Sequence, residues 1–577
     1  MAKAPSPEIQ KEAVDFVVKK AGDWTSMSNQ MRDKWLHFYE LYRNFETRGR
    51  QPWQSKLFIP KAFEVVEKIA PRLTAHDPKF VAIPKKAKAT KYISILQDYL
   101  SFVWEEEKVQ PKVRDWVKNM LIYGTGFVKV GWKQKTKTER KTETIQFEGE
   151  NLLAEVEEET LIEEMPTLDL VDIFDILLDP RETSLQGGMG LIHKNDSVLK
   201  ADLDKDVYFN IDEIRSEREI DDKKKQKYSD RGIQDESNED YVTIKEYWGL
   251  FEEKGVWKEK VITIANNGTL IRFDDNPFIT KDRPKGMRPF VPMYDQPVPG
   301  EFYAIGEVEP IVSLQEEVNT LRNQRMDNVN LGINQLWRVD PDAGINPSQV
   351  ISRPGQLIFA RQGEIEPMFN RDVPVSAYSE EQAINRDIQT TTGTIDFTQE
   401  GGSKGFTNTA TGERIRANEA NSRYQYKLTN VELAIAEVGK MMLYITSVFG
   451  DQNIIIRSIS DEGDQFLQVN PVVFEDAADG VEVGVDAGST GFDTLEDKRN
   501  NAIAMGNISL QYHNAGVPVA LDKNYLEILK WFPGVKNPQD HLNEQQPQMP
   551  GMEAGGMPGG APQGPPIDAI PPVNQNV

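Results

Sequence analysis

The stretch that decides the fold is AIGEVEPIVSLQEEVNTLRNQRMDNVNLGINQLW, residues 304–337. Its apolar residues recur mostly at three- and four-residue steps, which predicts a helix with one apolar face: Val308, Ile311, Val318, Leu321, Val329, Ile333 and Leu336. Amide and charged side chains crowd the rest of the circumference. Because so polar a helix is not suited to the inside of a core, we expect it to border water or other polar helices.

A second, longer helix is predicted at residues 410–449. Its apolar residues are spaced alternately four and three apart over more than three heptads, as in a coiled-coil seam: Tyr424, Leu428, Val431, Ile435, Val438, Met442, Ile445 and Phe449. Forty helical residues span roughly 60 Å. Few compact globular domains need a helix of that length.

Three short segments separate the two long helices. Prolines and glycines surround short strands in residues 338–376, which predicts a small separate module, and residues 377–392 predict a shorter helix. Residues 393–409, GTIDFTQEGGSKGFTNT, predict a glycine-rich loop. This loop lacks the G-x-x-x-x-G-K-[ST] spacing and the preceding buried strand of a phosphate-binding loop, so the sequence does not predict ATP binding there.

Helices open the chain. The pattern predicts helices at residues 7–47 and 61–73, then two more that break near Pro111 and lead into a strand at residues 123–132. The glycines of that strand are not followed by a helix, so they are interpreted as turn glycines and not as a dinucleotide-binding motif.

Charged and alternating segments follow. Basic residues 133–142 and acidic residues 148–164 indicate a hairpin in which oppositely charged strands lie side by side. The run DDKKKQK, residues 221–227, is predicted to be a solvated loop. Three alternating segments within residues 241–273 predict a β-meander. The fold class is therefore α+β, with long helices and small β modules.

Composition limits the functions that this chain can have. It has 577 residues, no cysteine and a formal net charge of -24. Disulfides, thiolate zinc sites and a cysteine nucleophile are therefore excluded. The acidic balance argues against a protein that wraps DNA tightly, but not against a surface that DNA passes without sticking. The sequence contains no stretch of membrane-spanning length and no apolar signal-peptide core, so a cytosol-like compartment is expected.

No catalytic arrangement stands out in the sequence. The five histidines are scattered, and no hydrolase elbow, kinase set or Walker motif is present. Four aspartates, Asp169, Asp172, Asp175 and Asp179, are dense enough to suggest a divalent ion, but their spacing in an extended segment prevents convergence on one face. A structural role is the favoured interpretation, and we expect neither enzyme activity nor a cofactor.

Two segments resemble stretches of the portal proteins of tailed bacteriophages. They are residues 304–339 and the run GFTNTATGERIRANEANSRYQYK, residues 405–427, and the order of elements is similar over nearly the whole chain. The resemblance implies a ring of about twelve copies at one capsid vertex, through which double-stranded DNA passes. It also implies contacts with the terminase large subunit, with head-completion, adaptor or tail proteins, and with the major capsid and scaffold proteins. The protein would lie in the virion after assembly in the host cytoplasm.

The portal arrangement assigns a part to each segment. Transferred by position, it gives an N-terminal wing (1–303), stem helix 1 (304–337), a clip (338–376), stem helix 2 (377–392), a tunnel loop (393–409), a long wing helix (410–449), a C-terminal wing and crown (450–544) and a tail (545–577). The tail is rich in Pro, Gly, Gln and Met, a composition typical of disorder.

The same resemblance suggests residues for each contact. The DNA channel and tunnel loop would use Phe397, Lys404, Phe406, Arg414 and Arg416, the stem channel or subunit boundary Arg322 and Arg325, and the clip Arg338, Arg353 and Arg361. For each stem or channel arginine, a salt bridge between subunits is an equal alternative to a DNA contact.

Two other functions stay open at this point. A different coiled-coil virion assembly or tail protein would share the long helix without a clip or an axial loop. A nucleotide- or metal-dependent enzyme acting on DNA would need an anchoring motif, and the sequence supplies none.

Overall fold

The chain divides into two compact units, Met1–Gly491 and Phe492–Val577. The computed structural model describes residues 4–45, 51, 54–75, 77–147, 150–233, 240–280, 283–333, 336–344, 361–368, 375–394, 410–450, 454–460, 463–469, 473–474, 480–485, 495–516 and 521–530. Helices and small sheets alternate along it, which confirms the α+β class. The predicted tail, residues 545–577, lies outside the described residues.

Helices dominate the described part of the first unit. They are α1 (Pro7–Arg43), α2 (Lys61–Leu73), α3 (Ile93–Glu106), α4 (Val109–Tyr123), α5 (Asp222–Asp230), α6 (Val312–Ile333), α7 (Val375–Thr392) and α8 (Ala410–Phe449). The second unit contributes α9 (Leu495–Asn514) and α10 (Leu521–Lys530). Among the described residues, no helix combines the length and the apolar character needed to cross a membrane.

The break between α3 and α4 lies at Glu107 and Lys108, where Lys108 has a φ of 51°. The sequence placed this break near Pro111, and that position was wrong. Pro111 instead lies in the first turn of α4, where a helix does not require the backbone N–H that proline lacks. The two-helix prediction itself is confirmed.

The strands form small antiparallel sheets. They are β1 (Phe80–Pro84), β2 (Thr125–Phe147), β3 (Glu150–Val171), β4 (Ile176–Leu178), β5 (Gly190–Leu199), β6 (Tyr241–Glu253), β7 (Val256–Ala265), β8 (Thr269–Asp275), β9 (Phe290–Tyr294), β10 (Leu336–Val339), β11 (Ile365–Met368), β12 (Ile454–Ser460), β13 (Gly463–Val469) and β14 (Val481–Val485). The orders are β4-β5-β6-β7-β8, β3-β2-β9, β1-β14, β10-β11 and β12-β13. The meander and the charged hairpin are both confirmed.

Helix α1 packs along the five-stranded sheet. Its buried residues follow steps of four, four and three, which keeps them on one side of the helix: Ala13, Val17, Ala21 and Trp24. They meet an apolar sheet face that includes Tyr247, Ile262 and Ile264. This cluster is one of the hydrophobic cores of the N-terminal region.

Helix α6 begins later than the sequence predicted. Residues 304–308 run against α4 and β2 instead: the backbone N–H of Ala304 donates to Thr125 Oγ1 (3.0 Å), and that of Glu307 donates to the Leu121 carbonyl (2.8 Å). Gly124 permits this approach, since it has a φ of 86° and a Cβ there would lie 1.9 Å from the Ala304 carbonyl oxygen. These tertiary bonds compete with the helix, which starts at Val312 after a short 3-10 turn.

The other end of α6 also differs from the prediction. The helix ends at Ile333, and Trp337 lies in β10, which pairs antiparallel with β11. The helical spacing of the apolar residues continues through Leu336, so spacing alone did not reveal this boundary. Strand pairing determines the conformation of these last residues.

The DDKKKQK run forms α5 and is not a loop. Asp221 caps the helix by accepting from the backbone N–H of Lys223 (2.9 Å), and Arg32 of α1 donates to the Asp221 carboxylate (2.7 Å). Lys224 is buried and donates to Asp175 (2.9 Å) and to Asp196 (2.8 Å). Acidic partners far away in the sequence therefore bring a lysine-rich run into the interior.

The apolar seam of α8 packs on sheets and short helices. Seven of its eight predicted seam residues are buried: Tyr424, Leu428, Val431, Ile435, Val438, Met442 and Ile445. Their neighbours are β14, β9, β2, β3, α2 and α3. Gly439 lies so close to β1 and β14 that a Cβ would be 2.8 Å from the Phe80 ring. The seam was read as a coiled-coil pattern, but within this chain its partners are mainly strands.

Candidate stem and channel site

One face of α6 binds the backbone of an extended segment, residues 55–61. Asp327, Asn323, Asn319 and Gln315 accept hydrogen bonds from the backbone N–H groups of Ser55, Leu57, Ile59 and Lys61, respectively, at 2.5 to 2.9 Å. Asn323 and Gln315 also donate to the carbonyls of Leu57 (2.8 Å) and Ile59 (2.6 Å). We call these four side chains the amide ladder.

The ladder works because two periodicities nearly match. Every fourth residue of a helix advances about 6.0 Å, and every second residue of an extended chain advances about 6.6 Å. Gln315, Asn319 and Asn323 are 0%, 7% and 2% exposed. The expectation that the polar face of α6 borders water or other polar helices is therefore wrong for this stripe, whose side-chain oxygens accept from main-chain N–H groups.

Replacing Asn323 with leucine is expected to lower the free energy of unfolding by about 2 to 3 kcal/mol. The change leaves the N–H and carbonyl of Leu57 without their partner, and unsatisfied buried groups carry most of that cost. Gln324→Leu is the matched control, because Gln324 is exposed on the same helix. Chemical denaturation compares the two. Equal destabilisation by both variants would contradict the role of the ladder.

A carboxylate on α7 joins α7 to α6. Glu381 binds Arg322 at 2.9 Å through one oxygen and Arg325 through the other. The Arg325 guanidinium also lies 4.6 Å from the centre of the Tyr378 ring. Arg325 keeps 8% of its side chain exposed and Arg322 keeps 41%. These ion pairs lie within one chain. For each of the two arginines the expected roles were a salt bridge between subunits or a DNA contact, so an ion pair within the chain was not predicted.

The predicted clip contains the antiparallel β10–β11 pair. Arg338 is exposed and lies opposite Glu366 in the register. Arg361 is exposed too, and its backbone N–H donates to Glu364 Oε2 (2.7 Å). Their proposed contacts with other proteins stay predictions. Arg353 lies outside the described residues.

The end of α7 is fixed just before the predicted tunnel loop. Arg423 of α8 donates to the carbonyls of Thr390 (3.1 Å) and Thr391 (3.4 Å), a favourable place for a cation at a helix C-terminus. The hydroxyls of Thr392 and Thr394 are 2.8 Å apart, and Gly393 between them has a φ of 69°. The chain therefore leaves α7 in a defined direction.

A buried charge cluster connects α8 to the segments on either side of residue 300. Lys427 donates to Asp295 and to Glu307 Oε1 (2.5 Å), and these three residues are 6%, 0% and 2% exposed. Gln296 also donates to Glu307 Oε1 (2.9 Å). Burial raises the pKa of Asp295 to about 7, and the neighbouring Glu307 adds to this effect while Lys427 opposes it. One lysine therefore forms ion pairs with two carboxylates.

A cavity of about 620 Å³ lies beside this cluster. Glu307 and Lys427 form part of its wall, and Thr391, Thr392 and Arg423 belong to the end of α7 and its anchor. The cavity thus lies between the charge cluster and the C-terminal end of α7, where the predicted tunnel loop begins. Its polar residues already bond within the chain, and nothing in its lining identifies a ligand.

Several predicted channel residues cannot be placed. Phe397, Lys404 and Phe406 lie outside the described residues. Arg414 and Arg416 belong to the helical backbone of α8, but their side chains are not described. Their assignment to the channel stays a prediction.

The four aspartates of residues 169–179 do not converge on an ion. Asp172 binds Lys227 (2.7 Å), Asp175 binds Lys224, and Asp179 binds Arg181 (2.6 Å), while Asp169 is exposed. Across the described residues, no group of three or more His, Cys, Asp and Glu side chains is arranged to hold a metal. The structural interpretation therefore accounts for three of the four.

The residues that bind α6, α7 and α8 to the rest of the chain were not predicted from the sequence. The amide ladder had a readable signal, since Gln315, Asn319, Asn323 and Asp327 follow strict four-residue steps. Glu381 and the Lys427 cluster had none, because their partners are far away along the chain.

A family model, described as the phage SU10 portal protein, matches residues 148–557. This chain belongs to that family. The match spans α6, the predicted clip region, α7 and α8, whereas α1 to α4 and the extended segment 55–61 that binds the amide ladder precede it. The protein is thus a portal, or head-to-tail connector, component of a phage-like particle.

One solved structure similar to this portal protein is the neck of an empty GTA particle, computed with C6 symmetry. The two chains are 11% identical, the match covers 84% of this chain and 94% of that chain, and the TM-score is 0.35.

Proposed function

We propose that this portal protein forms a closed ring of about twelve copies at one capsid vertex. Double-stranded DNA passes through the ring during packaging and ejection, without sequence-specific contacts. The terminase large subunit docks on it first, and head-completion, adaptor or tail proteins replace the motor. The ring contacts the major capsid and scaffold proteins and assembles in the host cytoplasm. We assign it a structural role with neither catalysis nor a cofactor.

The observation that carries this proposal is an outward and a returning helix. Helix α6, about 33 Å long, leads into the β10–β11 module, and α7, about 27 Å long, follows that module. Glu381 binds the two helices together through Arg322 and Arg325. A small module carried by a braced helix pair is suited to present a docking surface.

Charge supports non-sticking passage of DNA. The net charge of -24 makes tight binding to phosphates unfavourable, and a few basic groups can supply weak contacts. We assign these to Lys404, Arg414 and Arg416. In the stem we favour Arg322 over Arg325, since Arg325 is largely buried within the chain.

Deleting residues 397–406 is expected to leave ring assembly intact and to reduce packaged or retained DNA. The deletion removes the middle of the proposed tunnel loop and keeps Gly393 and the α7 anchor. Native mass spectrometry and electron microscopy measure rings, and nuclease protection measures DNA. A deletion of residues 568–577 is the control of equal length. Wild-type protein without rings would overturn the proposal, and a deletion variant that packages normally would overturn the role of the loop.

A further inference from the structure

The β2–β3 hairpin extends far beyond its sheet. Strand β9 pairs with β2 only over Thr125–Lys129, whereas β2 and β3 continue to pair with each other to Phe147 and Glu150. Eighteen residues of β2 beyond that point span about 60 Å. In the described part of the chain, no other strand covers the outer edge of β3 or the distal edge of β2.

An isolated two-stranded ribbon has little stability in water, and its open edges tend to pair with other strands. The hairpin therefore presents two long edges that a partner can use. The charge of each edge decides which strand can pair with it.

Charge is segregated between the two strands. Residues 130–147 contain five Lys or Arg and two Glu, and residues 150–164 contain seven Glu and neither Lys nor Arg. Two copies that paired β3 with β3, or β2 with β2, would place like charges side by side, which is unfavourable. Only pairing of β2 with the β3 of another copy brings opposite charges together.

Such pairing uses two different edges of each copy, so it is heterologous. Heterologous contacts produce closed rings when the rotation between copies closes, whereas pairing of identical edges stops at a dimer. The opposite charges of the two edges therefore favour heterologous contacts, which a closed ring requires.

We propose that the basic strand β2 of one copy pairs with the acidic strand β3 of its neighbour, so that the hairpins form a continuous sheet around the assembly. This proposal rests on the ring proposed above. It places successive hairpins about 10 Å apart, the width of two strands. The occupant of each edge is a second copy of this chain.

Cross-linking tests the pairing directly. The chain has no cysteine, so Thr138→Cys in β2 and Thr160→Cys in β3 each introduce a single thiol. The two variants are assembled separately and as a mixture, then oxidised, because a disulfide forms only between thiols whose Cα atoms lie within about 7 Å, as on directly paired strands. We expect covalent dimers in the mixture and several-fold fewer in either variant alone. Equal dimer yields in all three samples, or no dimers in the mixed rings, would overturn the proposal.

Charge reversal supplies a second test. The Lys133, Lys135 and Lys137→Glu variant has two acidic strands. A variant with lysine in place of five glutamates has two predominantly basic strands; the five are Glu155, Glu157, Glu158, Glu159 and Glu163. Each variant alone should need at least about tenfold more protein to form rings, the effect of three or more cross-strand charge pairs. An equimolar mixture should recover ring formation, since acidic and basic hairpins can alternate.

The control reverses three exposed lysines elsewhere, Lys11, Lys19 and Lys254. It should assemble like the wild type. If wild-type protein forms rings and both hairpin variants do so equally well, the hairpin inference fails while the ring proposal stands. If wild-type protein forms no rings, the proposed function itself fails.

Discussion

Replacing Lys427 with methionine is expected to lower the free energy of unfolding by about 3 to 5 kcal/mol. Removing one partner of a buried ion pair costs about this much, because the other charge stays buried without a counter-charge. Asp295 and Glu307 would keep their buried positions without the shared cation. Denaturant unfolding at pH 8 measures the loss. Lys440→Met is the control on the same helix, where the lysine is only partly buried.

The destabilisation should depend on pH. The pKa of Asp295 is about 7 in the folded chain against an ordinary 3.8, so its favourable contribution is complete below 3.8 and is lost as the pH rises through 7. Removing the lysine raises that pKa further, so Lys427→Met should be less destabilising at pH 5 than at pH 8. Adding Asp295→Asn should restore part of the stability at pH 8. An equal loss at both pH values, or no recovery in the double variant, would contradict the proposed charge balance.

Replacing Glu381 with glutamine is expected to lower the free energy of unfolding by about 2 to 3 kcal/mol. Two guanidinium groups lose their anionic partner, and that of Arg325 is largely buried, so water cannot replace the carboxylate well. The variant should also expose α7 to proteolysis, because α6 and α7 lose the bond that joins them.

Glu380→Gln is the matched control for this substitution. Glu380 is adjacent and exposed, and its replacement should change stability by less than about 0.5 kcal/mol. Denaturation and limited proteolysis of both variants give the comparison. Similar protease sensitivity in the two would show that Glu381 does not hold α7 against α6.

Local patterns predicted the helices that dominate this chain. The seam of α8 gave the apolar face from Tyr424 onward and the end of the helix at Phe449, because a helix presents the same face at alternating steps of three and four. The hairpin followed from opposite charge in adjacent segments. The predicted start of α6 was wrong because the backbone N–H groups of Ala304 and Glu307 form hydrogen bonds with β2 and α4. No local sequence pattern indicates such bonds.

Buried polar residues escaped prediction for a related reason. Lys224 was predicted to be solvated within DDKKKQK. It is buried instead, because its ammonium group forms ion pairs with the carboxylates of Asp175 and Asp196. The polar face of α6 was expected to border water, but part of it is buried because its side-chain oxygens accept hydrogen bonds from the backbone of residues 55–61. The identity of a polar side chain does not indicate which distant residue it will bind.

The sequence by itself determined the α+β class, the order of the longest helices, the hairpin and the meander, and the resemblance to portal proteins. These depend on periodicity and composition, which neighbouring residues encode together. Tertiary structure alone decided that α6 holds residues 55–61 and that Lys427 holds Asp295 and Glu307. The partners are 254 to 272 residues apart in the ladder and 120 to 132 residues apart in the charge cluster. Only the folded chain brings such distant groups within hydrogen-bonding distance.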